Sequence, residues 1–154
     1  MTESSIAEKI REKKKAFLAR EQEIVESAKS LLIDHHVDKI TVAEIAKKAS
    51  IGKGTIYKHF QTKNEILVRI MLDYEKGISV ELKKGLDRAK EGDPGAVSKA
   101  YFESRLANPA DDRLVQKLED KLADAEDVKE QMMQFYQIRR CLLYTSPSPR
   151  DSFR

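Results

Sequence analysis

Side chains that can bind phosphate and nucleobase edges are concentrated in one short run, residues 53–59. The hydroxyls of Thr55 and Tyr57 can donate hydrogen bonds to phosphate oxygens. The ammonium groups of Lys53 and Lys58 can bind either a phosphate or the edge of a guanine. These residue types at this spacing predict a surface that binds nucleic acid.

Two glycines, Gly52 and Gly54, lie at the start of this run. Because glycine has no side chain, the peptide N–H groups next to it can approach a phosphate closely. The glycines therefore add a backbone contribution to the same predicted surface. His59 closes the run and also projects from the predicted helix.

No arrangement in this sequence favours catalysis or metal binding. The run Gly52–Thr55 has some likeness to a phosphate-binding loop, but it lacks a preceding strand and the first glycine at the required spacing. His35 and His36 are adjacent, point in different directions on a helix, and form no metal-ligand spacing with His59. We therefore predict a protein that is not an enzyme and uses no cofactor or metal.

The run lies on the second of two short predicted helices. Thr41 has the position of an N-cap and Glu44 follows three residues later, which is the spacing of a capping box and predicts a helix over residues 42–49. Residues 50–52 form a turn, and a second helix ends at about His59. Two such helices are typical of a helix-turn-helix, whose second helix lies in the DNA major groove.

Basic charge is local rather than global in this chain of 154 residues, whose net charge is only +3. Residues 39–63 contain six lysines and one glutamate, whereas residues 64–140 contain 14 basic and 16 acidic side chains. A local basic excess is expected of a surface that binds phosphates. Charge alone leaves open the alternative of a solvated lysine face.

The whole chain is predicted to be all-α. Charged residues make up 36% of it and apolar residues 40%, and no stretch alternates as a strand does. Thr62 is predicted to cap the long helix, Pro94 to lie in the first turn of the next one, and Asn108-Pro109 to break that one. Predicted helices cover residues 8–35, 42–49, 53–59, 62–91, 94–106, a segment through 114–122, and 128–140.

No apolar run is long enough to span a bilayer, and residues 1–5 lack the charged and apolar regions of a signal peptide. We therefore expect a cytoplasmic protein with no membrane partner. Cys141 is the one cysteine, which excludes an intrachain disulfide and a cysteine-based zinc site.

The composition changes abruptly after Arg140. Residues 141–154 contain two prolines in three residues, and we expect no amphipathic period to continue into them. One interpretation is a native proline-rich tail. The interpretation that we prefer is that residues 141–151 look like a translated transposase adapter from a sequencing library. It predicts that residues 141–154 are non-native and that the coding sequence was cut at Arg140.

Residues 8–75 resemble the N-terminal DNA-binding domain of TetR/AcrR-family transcriptional regulators. The resemblance is carried by Thr41-Val-Ala-Glu-Ile-Ala, by Ala49-Ser-Ile-Gly-Lys-Gly-Thr-Ile-Tyr-Lys-His-Phe60 and by Lys63-Asn-Glu-Ile-Leu67. It implies a three-helix DNA-binding domain over residues 8–61. It also implies that the following residues contact DNA: Thr41, Gly54, Thr55, Tyr57, Lys58, His59 and Lys63.

The resemblance further implies a homodimeric regulator, usually a repressor, that binds double-stranded DNA at a palindromic operator. Residues 62–140, with a connecting helix over 62–91, would then be an incomplete helical domain for dimerisation and for a small-molecule inducer. We expect the final helices of that domain to be missing and this chain to be mostly monomeric. Candidate pocket residues, for which ordinary core packing is the preferred interpretation, are Phe102, Leu106, Met132, Phe135 and Tyr136.

A helical protein-interaction module without DNA binding is the alternative function. It explains the amphipathic helices and the charge, but it does not explain why a short basic helix begins with Gly-Lys-Gly-Thr. The two functions differ in one measurable property, because a DNA binder loses affinity steeply as salt is added.

Overall fold

The computed structural model describes the backbone of residues 3–145 and the side chains of residues 5–142, so the predicted tail beyond residue 145 lies outside the described part. Within that part the chain forms helices and no strand, which confirms the all-α prediction. Single 3-10 turns lie at Val37–Lys39 and Glu126–Val128. The helices are α1 (Glu3–Asp34), α2 (Val42–Lys48), α3 (Lys53–Tyr57), α4 (Lys63–Lys90), α5 (Ala96–Ala107), α6 (Pro109–Leu122) and α7 (Lys129–Thr145).

The chain divides into two compact units between Ile66 and Leu67, inside α4. We refer to the part up to Ile66 as the N-terminal unit and to the part from Leu67 as the C-terminal unit. The domain boundary between residues 61 and 62 stays a prediction. Among the described residues, no helix combines the length and the apolar character that crossing a membrane requires.

The core of the N-terminal unit is built from the apolar faces of its three helices. In α1, Ile24, Ala28 and Leu32 recur at four-residue steps and are buried, as expected for one face of an amphipathic helix. The other buried apolar residues of this unit are Val25, Ile40, Ile45, Ala46, Ile56, Phe60 and Ile66.

The start of α2 is fixed by the predicted capping box, which the structure confirms. The backbone N–H of Glu44 donates to the Thr41 hydroxyl at 3.2 Å, and the backbone N–H of Thr41 donates to the Glu44 carboxylate at 2.7 Å. Each bond satisfies a donor that the helix geometry leaves without a partner. The hydrogen bonds from the Thr41 backbone and hydroxyl hold the pKa of Glu44 below its ordinary value.

The end of α2 is fixed by a left-handed residue, Ser50, whose φ is 56°. The N–H of Ser50 donates to the Lys47 carbonyl at 3.2 Å, and the N–H of Ile51 donates to the Ala46 carbonyl at 3.0 Å. This pair of bonds is the Schellman motif, which satisfies the last carbonyls of a helix and reverses the chain. It forms the predicted turn, after which the chain continues into α3.

In the C-terminal unit, α4 and α5 approach closely at Gly85. A Cβ atom built there would lie 2.8 Å from the Ala96 carbonyl oxygen and 2.9 Å from the Ala100 Cβ. Both distances are shorter than real contacts allow, so only glycine fits. Around this crossing Ile78, Leu82, Val97 and Leu142 form a buried apolar cluster.

The start of α5 and the end of α7 differ from the prediction. The helix α5 begins at Ala96 rather than at Pro94, because the Ala96 N–H donates to the Asp93 carbonyl at 3.1 Å and thereby closes a turn around Pro94. Asn108 and Pro109 break α5 from α6 as predicted, with Asn108 as the N-cap of α6.

The helix α7 continues past Arg140 to Thr145. The amphipathic period also continues, which corrects the sequence analysis, because Phe135, Ile138 and Leu142 follow at steps of three and four residues. Leu142 is 5% exposed within the apolar cluster. The non-native origin of residues 141–154 stays a prediction.

Candidate nucleic-acid interface

The short helix α3 is held by its apolar side and presents its other side to solvent. Ile56 is fully buried and Phe60, just after the helix, is 6% exposed, so these two side chains anchor the segment. Lys53 and Lys58 are exposed, and Tyr57 is 46% exposed despite its aromatic ring. The Lys53 ammonium lies 5.9 Å from the centre of the Tyr57 ring, within the range of a cation–π contact.

Gly54 is exposed on α3, and nothing in the described structure requires a glycine there. A Cβ atom built at Gly54 would meet no atom within 4 Å, and its φ lies outside the left-handed region. A helical glycine destabilises a protein by roughly 0.5–1 kcal/mol relative to alanine. Neither packing nor backbone conformation in the described structure therefore requires a glycine at position 54.

Two threonines predicted to contact DNA differ in the burial and the hydrogen bonding of their side chains. Thr55, on α3, is half-buried, whereas Thr41 is exposed at the start of α2. The Thr41 hydroxyl already accepts from the Glu44 backbone and lies 2.9 Å from the Glu44 carboxylate. Thr41 therefore has a role in capping the start of α2 that is independent of any partner.

Exposed lysines of α2 and α3 give the N-terminal unit its basic surface. Among the described residues, no carboxylate lies within ion-pair distance of Lys47, Lys48, Lys53 or Lys58. The carboxylate of Glu44, which lies in the same segment, is held in the capping box. Lysines without an internal counter-charge create a positive potential that attracts an anionic partner.

His59 is not exposed, so it does not project from the helix as the sequence analysis expected, and its contact with DNA stays a prediction. Its side chain is 7% exposed, and its ring centre lies 4.1 Å from the ring centre of Phe17 on α1. Its Nδ1 lies 3.7 Å from a Glu21 carboxylate oxygen, which is too far for a hydrogen bond. We therefore assign His59 to packing between α1 and the end of α3.

Lys63 also differs from its predicted place. Its ammonium donates to the Val37 carbonyl at 3.0 Å and to the Ile40 carbonyl at 2.9 Å, and the side chain is partly buried. Lysine has three donors, so two of them are committed to the backbone that precedes α2. The structure thus separates Lys63 from the exposed lysines of α2 and α3.

The five candidate pocket residues differ widely in exposure. Met132 and Phe135 are buried on α7, whereas Tyr136 on the same helix is 43% exposed. Phe102 and Leu106 on α5 are exposed, at 62% and 70%. The ligand pocket therefore stays a prediction.

Sequence reasoning missed a group of paired charges in the C-terminal unit, centred on Glu75, which is fully buried on α4. The signal was present, because Glu75 lies four residues after buried Met71 and three before buried Ile78. A charged residue at a core position of an amphipathic helix predicts a buried ion pair. We call Glu75, Arg105, Arg139 and their acidic partners Asp112 and Glu119 the ionic cluster.

The ionic cluster joins four helices through short contacts. Arg139 donates to Glu75 at 2.8 Å and to Glu119 at 2.6 Å. Arg105 donates to Asp112 at 3.1 Å and to both Glu75 oxygens at 3.3 Å. Burial disfavours the charge on Arg105, but the neighbouring Glu75 and Asp112 carboxylates outweigh it and raise the pKa of that guanidinium.

Comparison with known proteins shows that the segment with the candidate interface is similar to a described family. Residues 24–70 match the family described as bacterial regulatory proteins, tetR family. Over 62 residues the chain is 31% identical to the uncharacterized HTH-type transcriptional regulator YxbF of Bacillus subtilis (strain 168). The match covers 40% of this chain and 16% of the length of that relative.

These comparisons support a TetR-family DNA-binding regulator, and they confirm the predicted tetR-type helix-turn-helix. The matched segment begins at Ile24 in α1 and ends at Ile70 in α4, so it contains the whole exposed surface of α2 and α3.

Proposed function

We propose that this chain binds double-stranded DNA sequence-specifically through α3 and regulates transcription in the cytoplasm. Side chains of α3 would enter the major groove, as the second helix of a helix-turn-helix does. Lys53, Tyr57 and Lys58 are the exposed side chains that would contact DNA, with Thr55 beside them. Gly54 would let the backbone approach a phosphate.

The observation that carries the proposal is the bare, exposed Gly54 between lysines that have no internal ion-pair partner. Each feature alone has an ordinary explanation, since surface lysines are common and a glycine can be neutral. Together they combine positive charge with a close approach of backbone, which is what a phosphate needs. A protein-interaction module requires neither.

We further propose that the full regulator is a ligand-responsive repressor that binds a palindromic operator as a homodimer. This part rests on the family alone, and a small-molecule inducer of unknown identity belongs to it. A twofold-symmetric operator would follow from a dimer, whose two α3 helices would meet half-sites about one helical turn, ~34–36 Å, apart.

Salt dependence of DNA binding tests the proposal. Binding of the full chain to a fluorescent duplex pool of random sequence is measured by anisotropy from about 50 to 200 mM salt. Lys53→Met should lower affinity across the pool and reduce the slope of log affinity against log salt by about 0.9, since one phosphate contact is lost. Lys76→Met, the same charge change at an exposed lysine of the C-terminal unit, is the control and should leave the slope unchanged.

Three results would reject the proposal. The first is no binding to the pool at low salt. The second is an affinity that does not change with salt. The third is an equal loss of slope in Lys53→Met and Lys76→Met, which would show that overall charge rather than this surface attracts the DNA. If the proposal holds, repeated selection from the same pool should yield the operator sequence.

A further inference from the structure

The two ends of the helix-turn-helix meet at one side chain, Lys63. The chain enters this segment through the 3-10 turn at Val37–Lys39 and leaves it at the first residue of α4. The Lys63 ammonium, at the exit, donates to the carbonyls of Val37 and Ile40, at the entrance. The bonds span 26 and 23 residues of sequence, a stretch that includes all of α2 and α3.

We infer that Lys63 is a positioning residue that clamps the entrance and exit of the helix-turn-helix, rather than a phosphate contact. This inference rests on the proposed DNA-binding function for its consequence, but the clamp itself is a property of the folded N-terminal unit. The ammonium ties the segment just before the Thr41 cap to the start of α4. Through that tie it holds α2 and α3 in the orientation that binding requires.

The chemistry at both carbonyls favours this role. Ile40 is 4% exposed, so its carbonyl lies where water has little access, and an unsatisfied buried carbonyl is strongly unfavourable. A charged donor gives a stronger hydrogen bond than a neutral one, and here a single ammonium supplies two of them. The 2.9 and 3.0 Å distances are the usual ones for such bonds.

The surroundings of Lys63 contrast with those of Lys58, five residues earlier. Lys58 is exposed and no carboxylate or carbonyl bond holds its ammonium in the described structure, whereas Lys63 is partly buried and doubly bonded. Replacing either lysine with methionine removes the same charge and keeps an unbranched side chain. The pair therefore separates loss of a clamp from loss of a phosphate contact.

The test measures amide hydrogen exchange and DNA binding for Lys63→Met, Lys63→Arg and Lys58→Met in the full chain. Lys63→Met should speed exchange across residues 37–49 by about tenfold or more, since two charge-assisted bonds are lost. It should lower DNA affinity without changing the salt slope, because no counterion contact is removed. Lys63→Arg, which keeps the charge and the donors, should restore much of the protection.

Lys58→Met should show the reverse pattern, with unchanged exchange and a salt slope reduced by about 0.9. The inference is overturned if Lys63→Met exchanges like the parent protein and lowers the slope, since that is how a phosphate contact behaves. It is also overturned if Lys58→Met speeds exchange as much as Lys63→Met. If Lys63→Met does not fold while Lys63→Arg does, the clamp is supported.

The exchange measurement needs no DNA, so the clamp and the proposed function can fail separately. Absence of DNA binding in the parent protein together with fast exchange in Lys63→Met would reject the function and keep the clamp. Normal DNA binding in the parent protein together with slow exchange in Lys63→Met would keep the function and reject the clamp.

Discussion

The N-terminal unit exposes the lysines of the candidate interface, whereas the C-terminal unit largely buries two arginines beside a carboxylate. In the N-terminal unit, Lys53 and Lys58 point to solvent and have no ion-pair partner in the described structure. In the C-terminal unit, Arg105 and Arg139 are mostly buried and bind the fully buried carboxylate of Glu75. Positive side chains are thus accessible to an external anion in the N-terminal unit and are neutralised by carboxylates inside the C-terminal unit.

The difference shows how burial decides what a charge can do. An unpaired charge in water costs little free energy, so an exposed lysine needs no partner within the protein and can bind an external anion. A charge away from water must be paired, and removing its partner is far more costly than the pair is stabilising. The exposed lysines should therefore control binding with little effect on stability, and the ionic cluster should control stability.

The largest expected effect comes from breaking the ionic cluster. Glu75→Gln keeps the shape of the side chain but leaves two part-buried guanidinium groups without their shared counter-charge. We expect a loss of about 3 kcal/mol in the free energy of unfolding, the lower end for a broken buried pair because the arginines retain some exposure. Denaturant unfolding followed by circular dichroism measures it.

The control for that change is Glu81→Gln, on the same helix. Glu81 and Lys84 form a surface pair at 2.7 Å in which both side chains are about half exposed, so its loss should cost at most about 0.5 kcal/mol. Equal losses for the two variants would remove the contrast between buried and exposed charge. A changed DNA salt slope in folded Glu75→Gln would contradict the division of roles.

Gly54→Ala tests the exposed surface without touching a charge. A Cβ atom has space there, so the free energy of unfolding should stay level or rise by about 0.4–1 kcal/mol. DNA affinity should fall about tenfold, since the backbone can no longer reach the phosphate and one charge-assisted hydrogen bond is lost. Gly77→Ala, also helical and open, is the matched control and should leave DNA binding unchanged.

Two further results would weigh against a DNA-facing Gly54. One is a Gly54→Ala protein that binds DNA as tightly as the parent. The other is a loss of stability in Gly54→Ala, which would point to packing. Gly85→Ala provides the opposite reference, because its Cβ would lie 2.8 Å from a backbone oxygen and should destabilise the C-terminal unit.

Thr41→Ala removes the cap of α2 and tests how much of the N-terminal unit depends on it. We expect a loss of about 1 kcal/mol in stability, as for other helix caps. Thr41→Ser keeps the hydroxyl and should recover most of that loss. Thermal melting and hydrogen exchange over α2 measure both, and an unchanged stability in Thr41→Ala would mean that the capping box contributes nothing.

A last expected effect, confined to alkaline pH, is a pH dependence at the edge of the ionic cluster. Burial, followed by a 2.8 Å hydrogen bond to Asp112, raises the pKa of Tyr74 from 10.0 to about 12. Tyr74 therefore holds its proton more strongly in the folded protein than in the unfolded chain. The resulting contribution to the free energy of unfolding is complete below pH 10 and is lost as the pH rises towards 12. Ultraviolet titration of the folded protein with and without Tyr74→Phe measures it, and a Tyr74 that ionises at its ordinary pKa contradicts it.

Local signals in the sequence predicted much of the fold. The Thr41–Glu44 spacing located the start of α2, and the Asn108-Pro109 break separated α5 from α6. Such signals succeed because a helix cap satisfies backbone groups within three or four residues of itself. The start of α5 was missed by two residues, since the choice between Pro94 and Ala96 depends on a turn.

The sequence predicted which residues belong to the candidate interface, but not which of them are exposed. Lys53, Tyr57 and Lys58 are exposed as expected, and their contact with DNA remains a proposal. His59 belongs to the same run in sequence, but α1 supplies Phe17 and Glu21 around it. No local pattern reveals a neighbour that lies about forty residues away along the chain.

By itself the sequence determined the all-α class, the helix caps and the helix-turn-helix, because these depend on period, propensity and short-range hydrogen bonds. The tetR type of that helix-turn-helix was given by the resemblance of its motifs to a known family. Only the tertiary structure shows the burial and the partners of Lys63, His59 and Glu75. Each is a charged or titratable side chain whose role depends on burial and on partners that are remote in sequence. Hydration favours such groups at the surface, and only the tertiary structure shows which of them are buried beside a partner.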